Sequence, residues 1–254
     1  DEYVSDPANP VPYVDGTYRR RRNEYMVDDQ RFASERPDVL TYQTDTLAFP
    51  ITISGKIFAD IFVSTTGTDA DFVVKLIDVL PGDEPDPVPN PQNLHMAGYQ
   101  RLVRAEVIRG KFRNSFEKPA PFTPGRIEEV KFELPDAAHT FKKGHRIMIQ
   151  VQSSWFPLVD RNPQKYLNIP KAESHDFQKS TIRIYHDPEH SSKIFLPILN
   201  QVFMNTKRFR TLIVSLSLAF NCAFAQQSVN VIPQPVLSEL KNGIVSIGPQ
   251  TEIV

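Results

Sequence analysis

Hydrophobic and polar residues alternate through several stretches of the first 200 residues, and this alternation limits the chain to β-structure. The pattern is clear at 57–63, 73–79, 130–134 and 147–151. A period of two places every second side chain on the same face of a strand. We therefore predict strands at these four places, each with one buried face, and no long helix before residue 200.

Proline and glycine separate the alternating stretches. Because proline lacks a backbone N–H, it is confined in sheets to edges, bulges and loops, so 22 prolines argue against a parallel sheet covered by helices. Many short strands joined by turns predict an all-β fold, a β-sandwich of the jelly-roll type. The separating residues are Pro50, Gly67, Pro81, Gly82, the 85–91 segment, Pro124, Gly125 and Gly144.

Composition and charge restrict the class of partner. The chain has 254 residues and a net charge of −1, so nothing global attracts nucleic acid or an acidic membrane surface. The basic run 19–22 is followed by Glu24, Asp28 and Asp29, and we interpret it as a solvated, locally neutralised loop. A single cysteine, Cys222, excludes a disulfide framework and a cysteine metal site in the rest of the chain.

Residues 1–200 resemble, in order and without a large gap, the C-terminal jelly-roll domain of a hydrolase family. This family contains X-Pro dipeptidyl-peptidases, cocaine esterase and α-amino-acid ester hydrolases, and the last of these is the nearest match. The resemblance lies in the stretches YVSDPANPVPY, DQRFASERPDVLTYQTDTL, STTGTDADFVVKLIDVLP, MAGYQRLVRAEVIRGKFRNSF and GRIEEVKFELPDAAHTFKKGHRIMIQVQSSWFPLVDRNPQ.

The resemblance implies a serine hydrolase with an α/β-hydrolase domain, a helical cap and a galactose-binding-like jelly roll. In such an enzyme a serine attacks an ester or amide carbonyl, and a histidine oriented by an aspartate transfers the proton. All three residues belong to the α/β-hydrolase domain in this family. We therefore expect the chain to contain no catalytic residues, to be inactive alone, to need no cofactor, and to pack on the missing α/β-hydrolase and cap domains.

The residues themselves also argue against a catalytic triad. No serine has glycines two positions to either side, as a nucleophile elbow requires. We interpret the histidines as noncatalytic: His95, His139, His145, His175, His186 and His190.

Two stretches with the spacing of metal ligands are weak candidates. His186 and His190 would share a helix face, but Pro188 between them favours a solvated turn. Asp69 and Asp71 lack the further ligands of a calcium loop, and we expect Asp71 to bond local backbone N–H groups. We predict no metal site.

The segment SSWFPLVDRNPQ at 153–164 is the most distinctive candidate site. Trp155 and Phe156 follow a buried strand, and a carboxylate, a guanidinium and an amide then stand side by side at Asp160, Arg161 and Asn162. One interpretation is scaffolding: the aromatic residues pack on the catalytic domain and the polar residues fix the loop. The alternative is that the loop lines the acyl pocket. Either way, we expect an exposed apolar patch that includes Trp155, Phe156 and Pro157.

Residues 204–225 have the organisation of a secretory signal peptide although they lie late in the chain. A positive region precedes the apolar stretch 212–220, and Ala223-Phe224-Ala225 predicts cleavage between Ala225 and Gln226. The apolar stretch is shorter than the roughly 20 residues that a membrane-spanning helix requires. We expect it either to form a short apolar helix packed loosely on the domain or to remain poorly ordered.

After the predicted cut, the stretch VNVIPQPVLSELKNG with its I-P-x-P element resembles the start of the small N-terminal domain of bacterial β-N-acetylhexosaminidases. Residues 226–254 are thus expected to be the truncated start of such a domain. We interpret 201–203 as a junction between two neighbouring gene products, either truly fused or joined in the recorded sequence. On this reading residues 201–254 add little to the stability of the jelly roll.

Two function classes remain open from the sequence. The first is a noncatalytic module of an exported, homo-oligomeric serine hydrolase acting on esters or X-Pro dipeptides. The second is a free-standing carbohydrate- or ligand-binding jelly roll, which would display exposed aromatic side chains on a concave face.

Overall fold

The computed structural model describes residues 1–16, 18–199 and 240–246, and most of its regular structure is β-strand. The strands are β1 (Glu2–Ser5), β2 (Val39–Gln43), β3 (Ile51–Thr65), β4 (Asp71–Val79), β5 (Gln100–Arg109), β6 (Glu128–Phe141), β7 (Arg146–Gln152), β8 (Ser180–Tyr185), β9 (Lys193–Leu199) and β10 (Leu240–Ser246). The four strands predicted from alternation lie within β3, β4, β6 and β7, so these predictions are confirmed.

Helical structure is confined to single turns in the described part of the chain. The one α-helix there, α1, spans Arg31–Ser34. Short 3-10 turns occur at Glu24–Met26, Gly110–Phe112, Ile169–Lys171 and Ser174–Asp176. Over these same residues, no helix is long and apolar enough to cross a membrane.

The strands form two antiparallel sheets, as the sequence predicts for a sandwich. The four-stranded sheet has the order β2-β7-β4-β5. The six-stranded sheet is built around β3, which pairs with β6 along one side. Along its other side β3 pairs first with β9, between Ile53 and Asp60, and then with β8, from Phe62 to Thr65. Further out, β1 pairs with β8 and β10 pairs with β9.

The main core lies between the two sheets. Ile61 of β3, Leu76 of β4 and Ile149 of β7 are all fully buried in it. These side chains come from the faces that the alternation predicts for β3 and β7.

β4 differs from the prediction because both of its faces are buried. Phe72, Val74 and Leu76 point into the core between the sheets, while Val73 and Ile77 pack in a second hydrophobic cluster on the other side. That second cluster is completed by residues from loops that cover the outer face of the four-stranded sheet: Tyr13, Val14, Tyr25, Trp155, Leu158 and Val159.

Several sequence predictions fall on residues outside the described part of the chain. These are the junction 201–203, the signal-like segment 204–225 with its cleavage site at Ala225 and Gln226, and most of the tail 226–254. Within that tail, residues 240–246 form β10, which pairs with the whole of β9 from Leu240 opposite Leu199 to Ser246 opposite Lys193.

Candidate functional site

The 153–164 loop leaves β7 and is fixed to the N-terminal segment by main-chain hydrogen bonds. The backbone N–H of Phe156 donates to the carbonyl of Val11 at 2.9 Å, and the N–H of Tyr13 donates to the carbonyl of Phe156 at 3.0 Å. The hydroxyl of Ser154 accepts a further hydrogen bond from the N–H of Val11 at 2.8 Å. The loop and the N-terminal segment therefore form one layer over the four-stranded sheet.

Trp155 lies inside this layer, and the expectation that its side chain is exposed is wrong. Only 6% of the residue is accessible to solvent. Its ring meets the edge of Tyr25 with centroids 5.6 Å apart. Phe156 and Pro157 are exposed as expected, Phe156 to 38%. Trp155 is buried because the chain supplies its own cover, so burial here needs no neighbouring domain.

Asp160 belongs to an ion-pair network centred on Arg109. The guanidinium of Arg109 donates to both carboxylate oxygens of Asp71, at 3.1 and 3.2 Å, and to Asp160 Oδ1 at 2.6 Å. The Asp160 side chain is 58% exposed, whereas that of Asp71 is 3% exposed. Arg109 thus compensates a buried carboxylate and ties the loop to the end of β5.

Asn162 completes the surroundings of Asp71 from inside the loop. Its Nδ2 donates to Asp71 Oδ1 at 2.7 Å, and its Oδ1 accepts from the backbone N–H of Gln164 at 2.8 Å. Burial raises the pKa of Asp71 to about 6, while Arg109 and Asn162 act in the opposite direction by stabilising its ionised form.

Arg161 fixes the far side of the loop. Its Nη1 donates to the carbonyl of Pro7 at 2.9 Å. Its guanidinium carbon lies 5.5 Å from the centre of the Phe156 ring and 5.1 Å from that of Phe177. Each polar residue of the predicted site therefore contacts the chain's own backbone or side chains.

Asp69 and Asp71 have different hydrogen-bond partners from those that the sequence predicts. Asp69, and not Asp71, accepts hydrogen bonds from backbone N–H groups: its Oδ1 is 3.0 Å from the nitrogens of both Ala70 and Lys111. Asp71 is instead directly opposite Arg109 in the β4–β5 ladder. Strand register therefore decides which aspartate binds the guanidinium.

A buried lysine lies under the same layer and was not singled out from the sequence. Lys75 is fully buried on β4 and donates to Gln30 Oε1 at 2.9 Å. Its Nζ lies 5.7 Å from the centre of the Trp155 ring. Burial lowers the pKa of Lys75 to about 7. The signal in the sequence is a single charge inside the apolar run FVVKLI.

The histidines are not arranged for nucleophilic catalysis in the described residues. His139 Nε2 and His145 Nδ1 lie 2.9 and 2.7 Å from the two carboxylate oxygens of buried Asp78. His186 and His190 flank a turn rather than a helix, as predicted, and His190 contacts Asp187. Within the described ranges, no histidine hydrogen-bonds to a serine hydroxyl and no cluster of three or more metal-ligating side chains occurs.

The basic run 19–22 lies at the surface of the N-terminal segment. Arg19, Arg20 and Arg21 are exposed. Arg22 pairs with Glu24 at 3.4 Å and stacks over Tyr18 at 4.4 Å. A solvated loop with partial neutralisation is what the sequence predicts.

Comparison with known proteins matches the sandwich to one family. The model for the X-Pro dipeptidyl-peptidase C-terminal non-catalytic domain matches residues 15–194. Cocaine esterase from Rhodococcus sp. (strain MB1 Bresler) is 34% identical over 201 residues, which cover 79% of this chain and 32% of the esterase.

Two solved structures share both fold and sequence with the chain. An aminopeptidase from the marine sediment archaeon Thaumarchaeota archaeon is 43% identical with a TM-score of 0.72, over 79% of this chain and 33% of that protein. An α-amino acid ester hydrolase is 46% identical with a TM-score of 0.71, over 78% of this chain and 32% of the hydrolase.

The chain therefore spans about a third of the length of these relatives. The family model covers 180 of the 254 residues, counting from 15 to 194. By sequence, by its two antiparallel sheets and by its near absence of described helix, the chain belongs to the X-Pro dipeptidyl-peptidase C-terminal non-catalytic domain family.

Proposed function

We propose that this chain is the C-terminal part of a serine hydrolase of the ester hydrolase or X-Pro dipeptidyl-peptidase type. The observation that carries the proposal is the match of residues 15–194 to a non-catalytic domain, in a chain that spans about a third of its esterase and peptidase relatives. Its role is to pack on the α/β-hydrolase domain and to help shape the active site there.

The 153–164 loop supports a scaffolding role more directly than a pocket role. Trp155 and Asn162 are buried within the chain, and Asp160 and Arg161 hold the loop through Arg109 and Pro7. Within this loop, Phe156 and Pro157 are the exposed apolar residues that remain available to contact another domain. The loop is thus fixed to the rest of the chain by its polar residues and presents Phe156 at its surface.

A free-standing carbohydrate-binding module is the second candidate, and the burial of Trp155 favours the hydrolase module over it. Sugar-binding faces present aromatic rings to solvent, but the single tryptophan of this chain is buried under Tyr25.

The proposal is tested by two activity measurements. The purified chain alone is expected to hydrolyse neither p-nitrophenyl esters nor Xaa-Pro-p-nitroanilides. The same chain, placed behind the α/β-hydrolase and cap domains of the related α-amino acid ester hydrolase, is expected to restore ester hydrolysis. Turnover by the chain alone that a serine-directed phosphonate abolishes would contradict the proposal.

We also propose that the parent enzyme is exported and homo-oligomeric, and that residues 204–254 begin a second exported protein of hexosaminidase type. The positive region, the apolar stretch and the Ala-Phe-Ala motif of 204–225 support the second part of this proposal, the start of another exported protein. Residues 204–254 placed first in a polypeptide are expected to direct export. N-terminal sequencing should find a cut between Ala225 and Gln226, and retention in the cytoplasm would contradict the assignment.

A further inference from the structure

The outer face of β5 is the part of the four-stranded sheet where the covering layer ends. The N-terminal segment and the 153–164 loop bury the outer face of β4, whereas Ala105 and Val107 of β5 remain partly exposed. Two hollows of about 660 and 540 Å³ lie along this strand, and both are lined by Glu106, Val107 and Val159. Together they form a continuous depression, which we call the β5 face.

The rim of the β5 face carries large apolar side chains that solvent reaches. Phe116 is 79% exposed and stacks on Phe112 with ring centroids 5.8 Å apart. At the other end Met26 is 51% exposed. Single exposed hydrophobic residues are common on monomers, but apolar side chains that border an apolar hollow mark an interaction surface.

The loop that presents Phe116 is fixed in place by one buried arginine. Arg113 donates to the carbonyl oxygens of Gly110, Ala120 and Pro121 at 2.9 to 3.0 Å, and to Glu128 Oε2 at 2.8 and 2.6 Å. Its side chain is 4% exposed. Phe116 is therefore held outward by a rigid loop, and preorganisation of this kind favours binding.

The outer face of the six-stranded sheet has a hollow of about 540 Å³, but charged pairs border it. Lys56 pairs with Glu133 at 3.0 Å, and Lys131 pairs with Asp60 at 3.4 Å. Burying these exposed pairs under a partner would remove water from their charges at a cost in free energy. Lys131 and Glu133 also line the 660 Å³ hollow of the β5 face. The 540 Å³ hollow at its Met26 end is lined by neither residue, so this end of the β5 face is the better docking surface.

We infer that the β5 face is the surface that docks on the α/β-hydrolase domain of the same enzyme, with Phe116 and Met26 as its anchors. The inference rests on the proposed function, because the two thirds of the relatives that this chain does not match supply the occupant. Charged side chains at this face are engaged within the chain. The ion pairs are Arg109 with Asp71, Arg113 with Glu128, Lys131 with Asp60 and Glu133 with Lys56. Arg104 donates to the carbonyl of Asp136, and the Glu106 carboxylate accepts from the N–H of Val107. This favours an apolar protein surface over nucleic acid or an acidic peptide.

Hydrogen exchange locates the docking surface. The full chain is compared free and placed behind the α/β-hydrolase and cap domains of the related ester hydrolase. We expect amides of 100–116 to exchange about tenfold more slowly in the fusion protein, and those of 49–60 to be unchanged. Protection confined to 49–60 would overturn the inference. So would a free chain that dimerises and already protects 100–116, since the occupant would then be a second copy.

Matched variants provide the second test. Phe116→Asp and Met26→Asp are expected to lower the melting temperature of the fused hydrolase by about 5 °C and to leave that of the free chain unchanged. Phe49→Asp is the control, because Phe49 is 64% exposed away from the β5 face. Equal effects of all three variants would contradict the inference. A wild-type fusion without protection anywhere would contradict the proposed function itself.

Discussion

The central strands β3 and β4 face each other across the core, yet their outer faces have opposite surroundings. On β3 the outward side chains reach solvent, and Phe58 is 44% exposed. On β4 the outward side chains of Val73, Lys75 and Ile77 are fully buried. The difference comes from the covering layer: the N-terminal segment and the 153–164 loop cross the outside of one sheet only. The alternation marks the core face of β3, but in β4 the alternating residues at 73, 77 and 79 lie under the covering layer. The pattern alone therefore does not tell which face meets the core when loops cover the other one.

The largest expected loss of stability comes from placing a lysine on the covered outer face of β4, and the same change on the outer face of β3 is its comparison. Ile77→Lys places a second charge beside Lys75 in a dry environment, and we expect it to cost more than about 4 kcal/mol of unfolding free energy or to prevent folding. Phe58→Lys lies opposite Glu133 in the ladder and should change stability by less than about 1 kcal/mol. Urea denaturation measures both. Similar losses would show that the two faces are equally covered.

The second prediction concerns the attachment of the covering layer. Arg109→Met leaves the buried carboxylate of Asp71 without its ion pair, which we expect to cost about 3–5 kcal/mol. Asp160→Asn removes the exposed partner of the same guanidinium and should cost less than about 1 kcal/mol. If Asp160→Asn lowered the free energy of unfolding as much as Arg109→Met, the exposed Arg109–Asp160 pair would account for the loss. The unpaired carboxylate of Asp71 would then not be its cause.

The third prediction concerns how Lys75, which lies beneath the covering layer, makes the stability of the fold depend on pH. The pKa of Lys75 falls from 10.5 to about 7 on folding because the side chain is buried. Between these values the unfolded chain binds a proton that the folded chain does not, so this residue makes stability rise with pH across the window. Lys75→Met should be more stable than the wild type at pH 7 and should show a flatter dependence from pH 7 to 9.

The control for Lys75 is Lys56→Met. Lys56 has a 59% exposed side chain on the six-stranded sheet, and its loss should leave the pH dependence of the wild type in place. Chemical denaturation at pH 7, 8 and 9 compares the three proteins. A Lys75→Met variant whose slope equals that of the control would mean that Lys75 keeps its proton when folded.

The smallest expected effect lies at the edge of the six-stranded sheet. The sequence predicts that removal of 201–254 leaves the jelly roll as stable as before, and pairing of β10 with β9 refines this prediction. Because edge hydrogen bonds exchange for bonds to water, we expect a loss below about 2 kcal/mol. Amides of β9 should exchange faster, while those of β4 stay protected. Loss of protection in β4 would show that β10 supports the whole sandwich.

The sequence points to the 153–164 loop as a candidate site, but it does not predict the internal contacts of that loop. The run SSWFPLVDRNPQ directs attention to 153–164, and these residues do cross the four-stranded sheet. The burial of Trp155 could not be predicted, because its contact Tyr25 is 130 positions away in the sequence. The choice of Asp71 as the partner of Arg109 depends on the β4–β5 register, which no local pattern specifies.

The sequence by itself determined four of the strands and the sandwich class, because a period of two and the placement of proline are local properties of the chain. The family followed from the resemblance of whole stretches within residues 1–200. Only the tertiary structure decided which sheet face is covered, which aspartate holds Arg109 and where the cover stops at β5. Those outcomes depend on contacts between residues far apart in the chain, and the free energy of such contacts exists only once both partners are in place.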